Sequence, residues 1–282
     1  MLRPKDKSHD VPLAPLGRGR HHRWMVSPSR VSLVRPVVPP RPTNIAAQPK
    51  DVQFDAARTA LVVVDMQNDF MHPEGWFALR GANRTPLFRP VEPLRRLLPE
   101  LRRNGVPVIW LGWGCRSDGL DLPPNVLHSG TYSGDGLNLC DPHPKRDYHI
   151  LEAGSWGSKV IDELPVEPED IHVFKSRLSG FWGTDFDAVL RNLGMTTLLF
   201  AGVNLDRCVM STLQDASFIG YDCILVDDCC ATRPSRVCNS IVPLDDQATA
   251  GICDDIRFHH RRAECQRWGM TRTPVAHMDQ SQ

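Results

Sequence analysis

Hydrophobic positions along the chain come in short, unbroken runs separated by longer amphipathic or irregular stretches. Ala60-Leu61-Val62-Val63-Val64 is a β-branched run with no polar alternation, and it ends at Asp65. Such a run suits a strand covered on both faces. Val106 to Leu111, Ile171 to Phe174, Thr197 to Ala201 and Cys223 to Val226 read the same way. Between the first two runs, Leu94, Leu97, Leu98 and Leu101 share one side of a helix predicted over 91–103, which Asn104-Gly105 stops. A second helix is predicted from Thr184 as N-cap to Asn192, and a third from about Asp206 to Ile219, ended by Gly220. Strands alternating with helices imply an α/β fold, three-layer α/β/α, with a mostly parallel, doubly wound sheet of about six strands. Five of those strands are visible. Residues 228–282 show no clean sixth one, and 112–156 read as a long Gly-, Pro-, Asp- and Ser-rich loop.

In such a sheet, ligands belong outside the carboxyl ends of the strands. Asp65, Lys175 and the segment 202–208 all fall there. Cys208 lies where a strand turns into a helix, and backbone N–H groups and the helix end are expected to lower its thiol pKa and to hold an oxyanion. Asp65 can accept the thiol proton, and Lys175 can stabilise developing negative charge. Each residue alone has a plainer reading: a core thiol, a turn aspartate, a solvated lysine. Their placement on one edge is what favours chemistry.

Composition sharpens the picture in two places. The 282 residues carry 33 basic and 33 acidic side chains and 41% hydrophobic residues, ordinary for a globular protein. The charge is uneven: residues 1–50 hold ten Lys/Arg, two acids and nine prolines. They are expected to form a flexible or wrapping extension ahead of one domain over 51–282. With zero net charge overall, neither nucleic acid nor a membrane is an expected partner. Nine cysteines, an odd number, and no signal-peptide pattern suggest reduced thiols and a cytoplasmic protein.

Other motifs yield little. Gly112-Trp113-Gly114 follows a strand, but Ser117 stands where a dinucleotide fingerprint needs its third glycine. Cys223, Cys229, Cys230 and Cys238 lack zinc-site spacing, and His259-His260 would point apart. Trp76, Trp110, Trp113, Phe181 and Trp182 are aromatic candidates for core or pocket.

Three segments taken together resemble the isochorismatase-like cysteine hydrolases: Ala60 to Phe70, Phe174-Lys175-Ser176-Arg177, and Gly202-Val203-Asn204-Leu205-Asp206-Arg207-Cys208-Val209. The likeness spans about residues 50–232. It implies a catalytic triad of Asp65, Lys175 and Cys208, a cis peptide at Val203–Asn204, and an oxyanion hole from the Asn204 and Cys208 amides. Asn204 departs from the Ala or Thr usual there. It also implies no cofactor, no metal, and a homo-oligomer. Isochorismatases proper lack the cysteine, so Cys208 points to amide hydrolysis. Gly154-Ser155-Trp156-Gly157, Ile161 to Leu164, Lys175 to Phe181 with Thr184, and more loosely Pro40-Arg41-Pro42, resemble the ureidoacrylate amidohydrolase branch. The loop after the second strand lacks the histidine of a nicotinamidase metal site. Phe70, Asn68, Trp113, Trp182 and Gln247 are the expected contacts to a small amide or ureido substrate. The competing expectation is an idle isochorismatase-fold module used for binding.

Overall fold

The computed structural model describes residues 11–130 and 136–233, and the backbone of 256–258. The amino-terminal part opens with a small antiparallel sheet of β1 (Ala14–Leu16), β2 (Trp24–Ser27) and β3 (Arg30–Ser32). A hairpin-like pair follows, β4 (Pro42–Ile45) with β6 (Val52–Asp55), and between them runs β5 (Ala47–Gln48). This segment is bonded to the rest of the chain at the sheet's amino end. His21 Nε2 contacts the Ala57 carbonyl at 2.8 Å, and Arg41 donates to the carbonyls of Ala56 and Asn104. Gly19 lies so close to Asn192 that an added Cβ would come within 1.8 Å of its carbonyl oxygen.

The central sheet contains β7 (Thr59–Val64), β8 (Val108–Trp113), β9 (Ile171–Lys175), β10 (Thr197–Val203), β11 (Asp222–Ala231) and β12 (Ile256–Phe258). Their spatial order is β5-β12-β11-β10-β7-β8-β9, and every pairing is parallel except that of β5. All residues of β7, β8 and β10 are buried, as their unbroken apolar runs require.

Short helices α1 (Asn68–Met71) and α2 (Trp76–Leu79) follow β7, and α3 (Val91–Arg103) leads into β8. The four predicted leucines of α3 are fully buried against β8 and β11, each contributing roughly 2 kcal/mol of transfer free energy. Gly105, at φ +62°, then turns the chain. Helix α4 (Pro124–Gly130) lies in the long loop, α5 (Phe186–Leu193) precedes β10, and α6 (Met210–Ile219) precedes β11. The β7-to-β8 and β10-to-β11 connections run in opposite directions along the sheet. Right-handed crossovers therefore place α3 and α6 on opposite faces. The direction reverses between β7 and β10, and the crevice at that point is where a doubly wound sheet receives a ligand.

The structure differs from the expectations at several elements; among them, the helix expected from about Asp206 opens as a π-helical turn over Leu205–Val209 and becomes α-helical at Met210. The second strand begins at Val108, beyond Pro107, and runs on to Trp113. Helix α5 begins at Phe186 with Asp185, not Thr184, at the N-cap, although the Thr184 hydroxyl accepts the Phe186 N–H at 3.1 Å. Strand β11 continues five residues past Val226, through Asp227 and Asp228, with a register shift opposite Phe200/Gly202. A sixth parallel strand exists at β12, too short to leave a periodic signature. No helix among the described residues is long and apolar enough to cross a membrane.

Candidate active site

Three strand ends build the site. Asp65 leaves β7 in the left-handed region, at φ 50°, and its amide donates to the Leu111 carbonyl at 3.0 Å. Lys175 ends β9, two strands from β7, so its stem must cross the end of β8. It does so over Trp113, with Nζ 4.6 Å from the ring centre, and reaches Asp65 Oδ2 at 3.1 Å. A spacing of about 4.8 Å per strand explains why a long side chain is needed to bridge that gap. Both side chains are sealed from solvent, at 0% and 1% exposure, so each charge depends on the other. Nζ also donates to the Arg177 carbonyl at 3.3 Å.

Cys208 arrives from the far side of the crevice. Strand β10 ends at Val203, the Val203–Asn204 peptide is cis, and Leu205–Val209 form a π-helical turn that leads into α6. The Thr212 hydroxyl donates to the Cys208 carbonyl at 2.6 Å and accepts the Gly180 N–H at 3.1 Å, so the turn is tied to the loop that follows Lys175. The Cys208 thiol stands beside the Asp65 carboxylate. Among the described residues, Asp65 Oδ1 is buried with no hydrogen-bond partner.

The electrostatics correct one expectation. Burial pushes the Cys208 thiol up, to about 12, and the adjacent Asp65 charge adds to the shift; Lys175 opposes it only in part. The direction is opposite to the lowering that the helix end suggested. Burial also raises Asp65 above the ordinary carboxylate range, against the pull of Lys175. A buried acid with raised proton affinity next to a buried thiol forms a pair that can pass one proton between its members.

Above this floor opens a cavity of about 310 Å³ that Asp65, Asn204 and Cys208 line. Of the expected substrate contacts, Phe70 and Trp113 line it too. Asn68 does not: it is buried and donates to the Trp156 carbonyl at 2.9 Å, pinning the long loop. Trp182 does not either. It is 65% exposed, and its indole N–H donates to Asp215 at 2.7 Å. Gln247, His259 and His260 lie outside the described residues. The Asn204 side chain accepts the Arg233 N–H at 3.3 Å, a contact to the segment after β11 that Ala or Thr could not make in the same way.

Sequence reasoning missed four groups. Gln67 clamps the end of β8, exchanging bonds of 2.8 Å with both the amide and the carbonyl of Trp113 while donating to the Ser158 carbonyl. An adjacent Gly112 leaves room for it, since a Cβ there would come within 2.6 Å of its amide. The other three are Arg80, Arg207 and Arg233, which line the cavity from segments far apart in the chain. Gln67, two residues beyond Asp65, and Arg207, next to Cys208, carried a local signal; Arg80 and Arg233 carried none.

The isochorismatase domain model matches residues 59–237, well over half of the chain. This chain belongs to the isochorismatase family. Among solved structures of similar fold, a cysteine hydrolase from Pseudomonas syringae pv. phaseolicola is 28% identical, with a TM-score of 0.53, over 65% of this chain and 76% of the other. An isochorismatase family protein from Desulfovibrio vulgaris is 30% identical, with a TM-score of 0.51, over 65% and 86%. The N-carbamoylsarcosine amidase of Thermoplasma acidophilum is 29% identical, with a TM-score of 0.48, over 65% and 89%. The matched span of the isochorismatase domain contains Asp65, Lys175 and Cys208, and ends just past Arg233, the last cavity residue among those described.

Proposed function

We propose that this isochorismatase-family hydrolase is a cysteine amidohydrolase. It cleaves a linear C–N bond in a ureido or carbamoyl compound or a simple amide, in the manner of the ureidoacrylate branch, through a thioester. The observation that carries the reading is the convergence of three residues far apart in the chain: Asp65 and Cys208 line the cavity floor, and the buried Lys175 behind it bonds the same carboxylate at 3.1 Å.

The chemistry follows from those positions. Substrate binding displaces water from the cavity and brings a carbonyl carbon to Sγ. Asp65 takes the thiol proton as sulfur attacks, so no free thiolate accumulates beforehand. The oxygen of the tetrahedral intermediate is received by the amides of Asn204 and Cys208, each such donor contributing about 3 to 4 kcal/mol. Asp65 then gives its proton to the departing nitrogen, and ammonia or an amine leaves. Water, deprotonated by Asp65, attacks the thioester, and sulfur leaves with the proton. Lys175 keeps one positive charge against the site throughout. No cofactor enters this scheme.

The test is ammonia release over a panel of ureidoacrylate, N-carbamoyl amino acids, biuret and nicotinamide, run beside trapping of the thioester by mass spectrometry. An acyl adduct on Cys208 supports the scheme. Turnover that survives Cys208→Ala refutes it.

A further inference from the structure

Two thiols that the hydrolytic scheme does not use meet where the chain leaves β8 and joins the long loop. Cys115 follows β8 and is fully buried, while Cys140 is partly exposed. Both are free thiols. Backbone bonds bring them to one short segment: the Cys115 amide donates to the Leu151 carbonyl at 2.8 Å, and the Cys140 amide donates to the Ile150 carbonyl at 3.0 Å. The sulfurs converge as well. Cys140 Sγ lies 3.2 Å from the carbonyl oxygen of Arg116, the residue after Cys115. Cys115 Sγ lies 3.1 Å from the Leu151 carbonyl and 3.5 Å from that of Ile150. The two thiols are hydrogen-bond neighbours of one another.

The turn between them is shaped for this approach. The Arg116 amide donates to Asp121 at 3.2 Å, the Leu120 amide donates to Asp118 at 3.1 Å, and Arg116 pairs with Asp118 at 2.6 Å. Gly119, at φ +65°, closes the turn, and a Cβ there would come within 3.2 Å of Cys140 Sγ. Cys140 itself sits at φ 64°, in the left-handed region that glycine enters freely. Its side chain is therefore carried against a conformational cost. Burial raises both thiols, and the charges of Asp121, Glu152 and Asp118 add to the shift at Cys140. Thiols of high pKa are poor leaving groups, so a bridge between them resists reduction once made.

We propose that Cys115 and Cys140 form a reversible disulfide site, oxidised by low-molecular-weight disulfides such as oxidised glutathione, and that the bridge braces the wall of the cavity. The partly exposed Cys140 sulfur attacks one sulfur of the glutathione disulfide. A mixed disulfide forms, the glutathione S–S bond breaks, and the thiol proton leaves with the first reduced glutathione. Cys115 sulfur then attacks Cys140 sulfur and expels the second glutathione, which takes the Cys115 proton. Two protein thiols are oxidised, and one glutathione disulfide is reduced to two thiols. Neither cysteine is among the described residues that line the cavity, but Trp113 and Leu139, close to them in the chain, both are. The bridge therefore fixes the wall without entering the pocket, and it stands apart from the chemistry of the floor.

The test incubates the full-length protein overnight with millimolar oxidised glutathione, alkylates the remaining thiols and maps unreduced peptides by mass spectrometry. A Cys115–Cys140 linked peptide is expected, with a melting temperature several degrees above that of the reduced protein. Cys115→Ser should stop at a glutathione adduct on Cys140. Cys140→Gly, which suits the left-handed backbone, should melt at or above the reduced wild-type protein and gain nothing from oxidation. A glutathione adduct that persists on Cys140 of the wild-type protein overturns the proposal. So does absence of the linked peptide, or linkage of either cysteine to a different one. A linked peptide without a rise in melting temperature overturns the bracing role.

Discussion

Two buried aspartates, four residues apart, anchor two regions with opposite characters. Asp65 forms the pocket floor. It has one formal ion pair, a thiol beside it, and an oxygen with no hydrogen-bond partner among the described residues. Asp69 holds the loop that walls the pocket. Its Oδ1 accepts the Trp76 amide at 3.2 Å and the Tyr148 hydroxyl at 2.8 Å, and its Oδ2 accepts the Leu151 amide at 2.8 Å. Burial raises the proton affinity of both. The difference lies in what surrounds them. Neutral, fixed donors saturate Asp69 and make it a joint; a cation and an acidic proton leave Asp65 with work to do.

The largest expected effect lies on the floor. Cys208→Ser should lower kcat/KM by at least about a thousandfold while the melting temperature stays within a few degrees, since the swap is nearly isosteric. Retention of wild-type rates would remove the nucleophile from the scheme. Next comes pH. Asp65 must be ionised to take the thiol proton, and its proton affinity is raised, so kcat/KM should fall tenfold per unit below a pKa that lies above the usual aspartate range. An acid limb at the ordinary aspartate value would show that another group limits the rate.

Stability effects rank below these. Lys175→Met leaves a buried carboxylate without its cation and should cost about 3 to 5 kcal/mol in urea unfolding at neutral pH. Adding Asp65→Asn should return most of that loss, and a purely additive double variant would contradict the pairing. In the wall, Gly157→Ala places a Cβ within 2.0 Å of Asp69 Oδ2 and should cost about 1 to 3 kcal/mol. The smallest effect is that of Tyr148→Phe, about 1 kcal/mol from one lost bond to Asp69, with kcat/KM unchanged. If that variant loses activity instead, the wall is not separable from the floor.

The same contrast explains what the sequence made legible. β7, β8, β10 and the first half of β11 announced themselves because burial on both faces demands unbroken apolar runs, whereas β9, at the sheet edge, alternates buried and exposed positions. Asp65 and Lys175 were visible because each ends a predicted strand, and Cys208 because it follows one closely. The second half of β11 was hidden by Asp227 and Asp228, whose charges break the run; Arg89 lies 3.7 Å from Asp227 and compensates it from another segment. Asn68 and Trp182 had suitable chemistry for a pocket, but one is used to hold the loop and the other turns out to Asp215. Arg80 and Arg233 reach the cavity only through the tertiary fold, so no spacing along the chain could reveal them, whereas Arg207 adjoins Cys208. The direction of the thiol's pKa shift was misjudged because a helix end was weighed without the burial that surrounds it.

The amino-terminal segment bonds to Ala57 and Asn104, just ahead of β7 and β8, whereas the reacting groups sit where strands finish. The molecule is thus polar in the geographic sense, with its bracing at one pole and its opening at the other. A fluorophore or surface tether attached at the exposed Arg18 or Arg20, beside Gly19 at Asn192, would leave the entrance unobstructed, which makes that pole the natural handle for immobilising the protein in a working orientation.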